Sequence, residues 1–391
     1  MPVTTLIRFR QAAVAVKAEV TPGTDSIAGT PATGDWVAGS GTLALNPIVI
    51  SDPSFTGSMD AAVDSVGGFK PTLTLQVPFR GSGTAGTEPG VAKLLKACTM
   101  AVTTTAAAVG VPTAAAAGTT TTVTAATPFG TTADAYNGMP LIVAGDQSFT
   151  TGIVDYTAAR VISMGETRTA LTTDSDLQIP INNIYRPTSD EAVFTTTSIY
   201  LFHDGIRYRL TGCQGTWSLE MTAGGSGMFT FTLTGQLSAA PDSTVLPAGA
   251  AAALSALPAA PVWMNGRSQI NLGTARVRTF RLDFGVQSVL PDNPESIYGF
   301  DPGVPIGRRA AGSIDPLADT ATHVAMFAAM SANTAVPYFA ILGSTAGNRM
   351  LVMVAAMRMQ GMDLAERDGL GAHNIPFQAD GPDAGCSICF F

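Results

Sequence analysis

The sequence predicts a mainly β protein, built as an antiparallel β-sandwich or barrel with a flanking helix, in two tandem copies plus a small inserted β domain. Three observations lead there. Several runs alternate apolar and polar residues with the two-residue period of a half-buried strand. Glycine-rich stretches join such runs at hairpin spacing. One order of elements (strand, long acidic loop, strand, helix, hairpin) occurs twice along the chain.

Residues 1–35 read as an N-terminal arm, because Pro22-Gly23 and Gly29-Thr-Pro31 break any regular element. Residues 36–100 form the first part of the first copy. There Leu73, Leu75, Val77 and Phe79 share one face of a strand, and Thr72, Thr74 and Gln76 share the other. A polar loop at 51–69 carries Asp52, Asp60 and Asp64, and 88–98 reads as a short helix with Pro89 near its start.

Residues 101–189 hold an Ala/Thr-rich connector and then the inserted β domain, with strands near 139–144, 152–156 and 159–164. Residues 190–245 complete the first copy as a meander. Ile206, Tyr208 and Leu210, then Trp217, Leu219 and Met221, then Phe229, Phe231 and Leu233 alternate with polar residues, and the last two runs meet at a glycine-rich turn, 222–227. One apolar face means a sheet packed against something. A Pro/Ala-rich linker spans 246–265.

Residues 266–391 repeat the programme and end in a C-terminal tail. A strand at 277–285 leads into an acidic loop at 288–309, with Asp292, Glu295 and Asp301. A short strand at 311–315, a helix capped by Asp315 with Pro316 in its first position, and a hairpin of 338–342 and 350–359 follow.

Charged residues make up 13% of the chain, about half the usual share, while apolar residues make up 46%. That balance suits sizeable cores and a surface covered by neighbouring copies. A net charge of −8 argues against a protein that grips nucleic acid, which needs clustered Lys and Arg. An acidic wall would instead repel DNA and let it slide. Four scattered cysteines, Cys98, Cys213, Cys386 and Cys389, make no secreted disulfide framework. The first residues hold no signal-peptide apolar core, and the longest apolar runs fall far short of the ~18 residues a membrane helix needs.

Gly81-Ser-Gly83-Thr-Ala-Gly86 matches G-x-G-x-x-G between a strand and a helix, the context of a dinucleotide site. Three features oppose that reading. The acidic residue expected about 20 positions on is missing, an Ala/Thr repeat replaces a second parallel strand, and Pro78 suits an edge strand. A surface turn accounts for the motif better, and a nucleotide-binding oxidoreductase using Gly81, Gly83 and Gly86 is the rival of another class. Cys386-Ser-Ile-Cys389 supplies half a zinc site with no second pair, whether or not His373, Asp380 or Asp383 is added, and reads as plain tail. His203, His323 and His373 are the only imidazoles, and no G-x-S-x-G elbow accompanies them. His203 belongs in an exposed turn and His323 on a packing face of a helix. No catalytic, cofactor-binding or metal-binding residue is therefore assigned, and the chain reads as non-enzymatic, with no cofactor. Arg276, Arg278, Arg281, Arg308 and Arg309 are expected to form salt bridges between neighbouring copies. The Met-rich run 350–362 is expected to fill core or interface.

Two stretches resemble the tail tube (major tail) proteins of long-tailed, siphophage-type bacteriophages. One is Gly81-Ser-Gly-Thr-Ala-Gly-Thr87 with Leu94-Leu-Lys-Ala-Cys98; the other runs from Ser198-Ile-Tyr-Leu-Phe-His-Asp-Gly205 through Gly215-Thr-Trp-Ser-Leu-Glu-Met221 to Phe229-Thr-Phe-Thr-Leu-Thr-Gly235. They cover roughly 36–98 and 198–240, and the second half resembles the family more loosely. The insertion, with Tyr136-Asn-Gly-Met-Pro-Leu141, resembles small β insertions of phage tail proteins but lacks their Gly-rich turn.

The resemblance implies a tail-tube fold whose domains pair sheet to sheet into six-domain rings, made by three duplicated chains or by six. The rings would stack into a conduit for DNA ejection. Besides itself, the implied partners are the tape measure protein and genomic DNA in the lumen, and tail terminator and distal tail proteins at the ends, with no membrane. The implied location is the virion tail, assembled in the host bacterial cytoplasm. A distal tail hub or adaptor of the same fold is the nearest rival. Candidate acidic residues of the lumen are Asp60, Asp64, Glu220 and Asp283. Candidate inter-ring loop residues are Ser51, Asp52, Asp60, Asp64 and Phe69, then Asp292, Glu295, Arg308 and Arg309.

Overall fold

Strands take up 48% of the chain and helices 8%, with antiparallel sheets, so the mainly β expectation holds. The computed structural model describes residues 11–391 apart from Asn265, Ala275, Ile297, Pro382 and Ala384. The first ten residues of the expected arm lie outside the described residues.

One succession of antiparallel pairings runs twice. In the first series Trp36–Val37 lies beside Ala12–Ala18, followed by Thr197–His203, Ile206–Thr222, Met228–Leu237, Thr72–Pro78 and Ser40–Ala44. In the second Gly273–Thr274 lies beside Arg267–Ile270, followed by Val336–Leu342, Met350–Met359, Leu370–Ala379, Ala311–Pro316 and Val277–Asp283. In both, a hairpin sits between the last two strands named: Pro47–Ile50 with Ser65–Phe69, and Val286–Val289 with Val304–Arg308. In both, a helix comes next in the chain, Ala92–Ala97 or Thr320–Ser331. One difference stands out. The first series has a single 17-residue strand, Ile206–Thr222, where the second has two pieces, Met350–Met359 and Asp363–Arg367, both paired with Leu370–Ala379.

The two series join edge to edge, because Ser218–Thr222 pairs with Thr279–Asp283. One continuous sheet of eight strands results, from Ser40–Ala44 at one border to Asp363–Arg367 at the other. Its inner face buries Leu73, Leu75, Phe229, Phe231, Trp217, Leu219, Phe280, Leu282, Ile375 and Phe377 in one apolar cluster. Each fully buried Leu or Phe contributes about 1.5–3 kcal/mol. Trp217 stacks on Phe284 at 5.0 Å and 13°, across the joint between the series.

The insertion forms a seven-stranded sheet: Val109–Ala114, Ser175–Ile179, Pro140–Gly145, Phe149–Tyr156, Val161–Met164, Thr122–Thr124 and Ala117–Gly118. Its core is continuous with the outer side of the hairpin Val336–Leu342/Met350–Met359. Phe339, Ile341, Leu351 and Met353 join Leu141, Ile153, Ile162 and Leu177 there, while Tyr338, Ala340, Val352 and Val354 face the main core. Burial on both faces explains why these strands read as unbroken apolar runs. The buried carboxylate of Glu166 accepts from Arg168 at 2.9 Å and from Arg267, which ties the insertion to the second series.

Several expectations are corrected. Part of the supposed arm, Ala12–Ala18, is a core strand between Thr197–His203 and Trp36–Val37. The supposed connector begins with strand Met100–Thr105, paired with Asn182–Pro187, and continues into the insertion's sheet. Within the supposed linker, helix Gly249–Ser255 buries Ala250 among Ala13, Ala15, Trp36 and Phe202. The C-terminal tail is no tail: Ser387–Phe390 is buried, between Met350–Met353 and Asn183–Tyr185. Pro78 does not mark an edge, since Thr72–Pro78 is paired on both sides and Pro78 is its last residue. The second helix starts later than expected. Asp319 caps it by accepting from the Thr322 N–H at 2.9 Å, whereas Asp315 accepts from the N–H groups of Arg278 and Thr279.

Candidate assembly surfaces

The outer face of the eight-stranded sheet is polar and largely uncovered; the strand Val286–Val289 meets it at Thr216, whose hydroxyl accepts from the Val286 N–H at 3.1 Å. Register places Thr42, Thr74, Thr232 and Thr216 in one cross-strand row. Ser40, Gln76, Thr230, Ser218, Asp283, Ala311 and Gln378 make the next. Threonine suits this position, because its β-branch favours strands while its hydroxyl faces water. Glu220 stands opposite Arg281 across the joint between the series, and the two form a 2.7 Å ion pair. Both are well exposed, so the pair contributes at most about 1 kcal/mol. Asp283, two residues from Arg281, accepts from the Gly285 N–H at 3.0 Å.

The structure thus brings Glu220 and Asp283 together on one face, with Arg281 offsetting part of their charge. Asp60 and Asp64 do not join them. They lie on the exposed excursion 51–64, where Phe55 and Met59 are fully exposed and Val63 nearly so. Local hydrogen bonds shape that excursion. Asp52 accepts from the hydroxyl and the N–H of Ser54, and these bonds hold its carboxyl below the usual carboxylate range. Ser51 and Asp52 are exposed, but Phe69 sits at the hairpin's base, edge-on to Tyr298 at 5.6 Å. Lys70 beside it lies 3.9 Å from Asp292 and over the Phe300 ring. The two candidate loops therefore meet at their bases. Asp292, Glu295 and Arg309 are exposed. Arg308 is turned inward, donating to the Thr188 carbonyl at 3.0 Å and to Asp383 at 2.7 Å. Arg281 and Arg308 thus pair within the chain, where salt bridges between copies were expected.

The chemical motifs are absorbed by packing. Gly81 donates its N–H to Asn348 Oδ1 at 2.9 Å, and Gly83 donates to the Gly347 carbonyl at 3.0 Å. A Cβ on Gly81 would fall 2.1 Å from the Gly347 oxygen. The amides that a phosphate would need are spent on the chain's own hairpin turn, and the preceding strand is antiparallel to both neighbours. All four cysteines are buried free thiols, and burial pushes Cys386 up to about 12. His323 Nδ1 lies 3.2 Å from Nε2 of buried His373, with the rings stacked. Desolvation, then the neighbouring imidazole, lowers His373 from its ordinary value. Among the described residues no group of three or more His, Cys, Asp or Glu could hold a metal ion, and no helix is long and apolar enough to cross a membrane.

Two borders escaped the sequence reading. Ser40–Ala44 and Asp363–Arg367 each pair on one side only among the described residues. The second had a signal, since Asp368-Gly369 follows it and both residues have positive φ, the mark of a tight hairpin turn. No protein-family model matches the chain, and no curated protein matches it.

Proposed function

We propose that this chain is a non-enzymatic subunit of a phage tail tube, two tandem copies of one β domain whose sheets combine with those of sister chains into stacked rings. The observation that carries the reading is the pairing succession that runs twice and merges into one eight-stranded sheet with a largely uncovered, hydroxyl-lined face. Neighbouring strands lie about 4.8 Å apart. Three chains contributing eight strands each would enclose a cylinder of roughly 37 Å between backbones, more once the strands tilt, with room for a DNA duplex. Thr, Ser and Gln on such a wall, under a net charge of −8, give DNA nothing to grip.

Electron microscopy of the purified protein tests the reading. Tubes with a constant axial repeat support it, and three-fold symmetry selects the duplicated-chain ring. Rings that never stack favour a hub or adaptor. A protein that remains monomeric at every concentration overturns the proposal.

A further inference from the structure

We infer that the border strand Asp363–Arg367 of one chain pairs antiparallel with the border strand Ser40–Ala44 of a second copy, with Asp363 opposite Ala44, Leu364 opposite Leu43 and Arg367 opposite Ser40. The inference rests on the tandem-copy reading and adds the partner edge and its register.

The register comes from superposing the two pairing series. Thr72 pairs with Thr234 and Ala311 with Gln378, which makes these pairs equivalent. At the other end of the same ladder Pro78 pairs with Met228, and Leu317 bridges to Ala372. Met228 and Ala372 in turn stand opposite Glu220 and Ala365. Ser218–Thr222 is therefore the counterpart of Asp363–Arg367. By the same route Thr72 opposite Ala44, and Ala311 opposite Asp283, make Ser40–Ala44 the counterpart of Thr279–Asp283. Inside the chain, Ser218–Thr222 and Thr279–Asp283 are bonded to each other, Ser218 opposite Asp283. Their counterparts, equal in length at five residues each, stand at opposite borders of the sheet.

Burial points the same way. At the internal joint Leu219 faces Leu282 and both are fully buried. Their counterparts are Leu364, which lies on the core side opposite buried His373 yet is 63% exposed, and half-buried Leu43. Leu364 lacks the covering strand that Leu219 has. A second copy supplies one of the right length, direction and polarity. Because the two borders differ, the contact is head-to-tail and repeats until it closes.

Two chains with one added cysteine each test this, Thr42→Cys and Ala365→Cys, at exposed positions that face each other in the inferred register; the four native thiols are buried. Circular dichroism checks folding. Under mild oxidation at high concentration, the mixture should give a covalent dimer at least tenfold faster than either chain alone. Ser40→Cys mixed with Ala365→Cys is the register control and should lag by a similar factor. Leu364→Asp, with thermal stability unchanged, should reduce assembly at least tenfold. Rings or tubes without the mixed cross-link overturn the inferred edge and leave the tail-tube reading standing. A chain that sediments as a monomer at all concentrations removes both.

Discussion

Trp217→Ala and Phe284→Ala, made singly and together, measure how firmly the two series are joined. Trp217 belongs to the strand of the first series that makes the joint, and Phe284 directly follows the strand of the second series that pairs with it. Their rings lie nearly parallel at 5.0 Å, Trp217 also meets Phe229 edge-on at 5.6 Å, and all three are fully buried. Removing a buried aromatic side chain costs about 3–5 kcal/mol. The ring pair adds about 0.5–1.5 kcal/mol beyond the area it buries, so the double variant should be more stable than the sum of the single losses by that amount. Guanidinium unfolding followed by far-UV circular dichroism reads the four stabilities without relying on tryptophan emission. Single losses below about 1 kcal/mol, or a coupling within ~0.3 kcal/mol of zero, would refute a rigid joint at this place.

Gly81→Ala should destabilise by about 1–3 kcal/mol, because the added carbon meets the Gly347 carbonyl at 2.1 Å, backbone against backbone; an unchanged melting temperature would dissolve the packed-turn account. Glu19→Ala should cost more than about 3 kcal/mol, at about 1–3 kcal/mol per stranded group. Its buried carboxylate accepts from Thr196, Ser198 and the N–H groups of Gly23 and Gly212, and a loss under ~1 kcal/mol in thermal unfolding would contradict that. Hydrogen bonding from Arg207 holds Asp242 down to about 2, below its ordinary 3.8. A depressed carboxyl contributes stability above its unfolded value, and that contribution is lost as pH falls through about 2. The stability–pH curve of Asp242→Asn should accordingly be flatter between these values. Phe55→Ser with Met59→Ser should leave stability within ~0.5 kcal/mol of the parent, since both side chains stand in solvent. On the tail-tube reading the same change blocks ring stacking, which electron microscopy would reveal as loose rings.

Half-buried strands were legible, as was the wholly buried hairpin Val336–Leu342/Met350–Met359 with its large apolar side chains, whereas strands of small residues were not. Trp217, Leu219 and Met221 alternate with Ser218 and Glu220 because one face meets the core and the other meets water, and the structure keeps that division. Ala12–Ala18 has no such contrast. Its middle residues are buried on both faces, so small apolar side chains serve throughout and no period survives. The Ala/Thr-rich strands around Met100–Thr105 failed for the opposite reason. Threonine and alanine carry too little hydrophobic contrast to set a period, and their extended form comes from partners such as Asn182–Pro187, far along the chain. At the candidate surfaces, Glu220 and Asp283 could be named from alternation. Their shared face depends on the joint between strands some 60 residues apart, which a single-strand pattern cannot express. Arg308 misled for a related reason: its charge pointed outward on paper, while Asp383 and Thr188 draw it in.

The internal joint and the inferred one carry different apolar loads, and that difference bears on control of assembly. Within the chain two apolar pairs are buried at the joint, Leu219 with Leu282 and Met221 with Phe280. The transferred register keeps only Leu364 with Leu43 and sets Glu366 opposite Gly41. A fully buried Leu contributes about 1.5–3 kcal/mol, whereas bringing two free chains together costs about 4–15 kcal/mol. A single five-residue contact is too weak to hold a dimer against that cost. Ring closure changes the balance, because the last contact is made between chains already tethered, at little further loss of translational freedom. Short, weakly apolar borders also limit indiscriminate edge pairing. On this reading separate chains stay apart, partial arcs are scarce, and a closed ring is the smallest lasting species. A tube of constant width needs that behaviour, since an arc admitting one extra chain would spoil every ring stacked upon it.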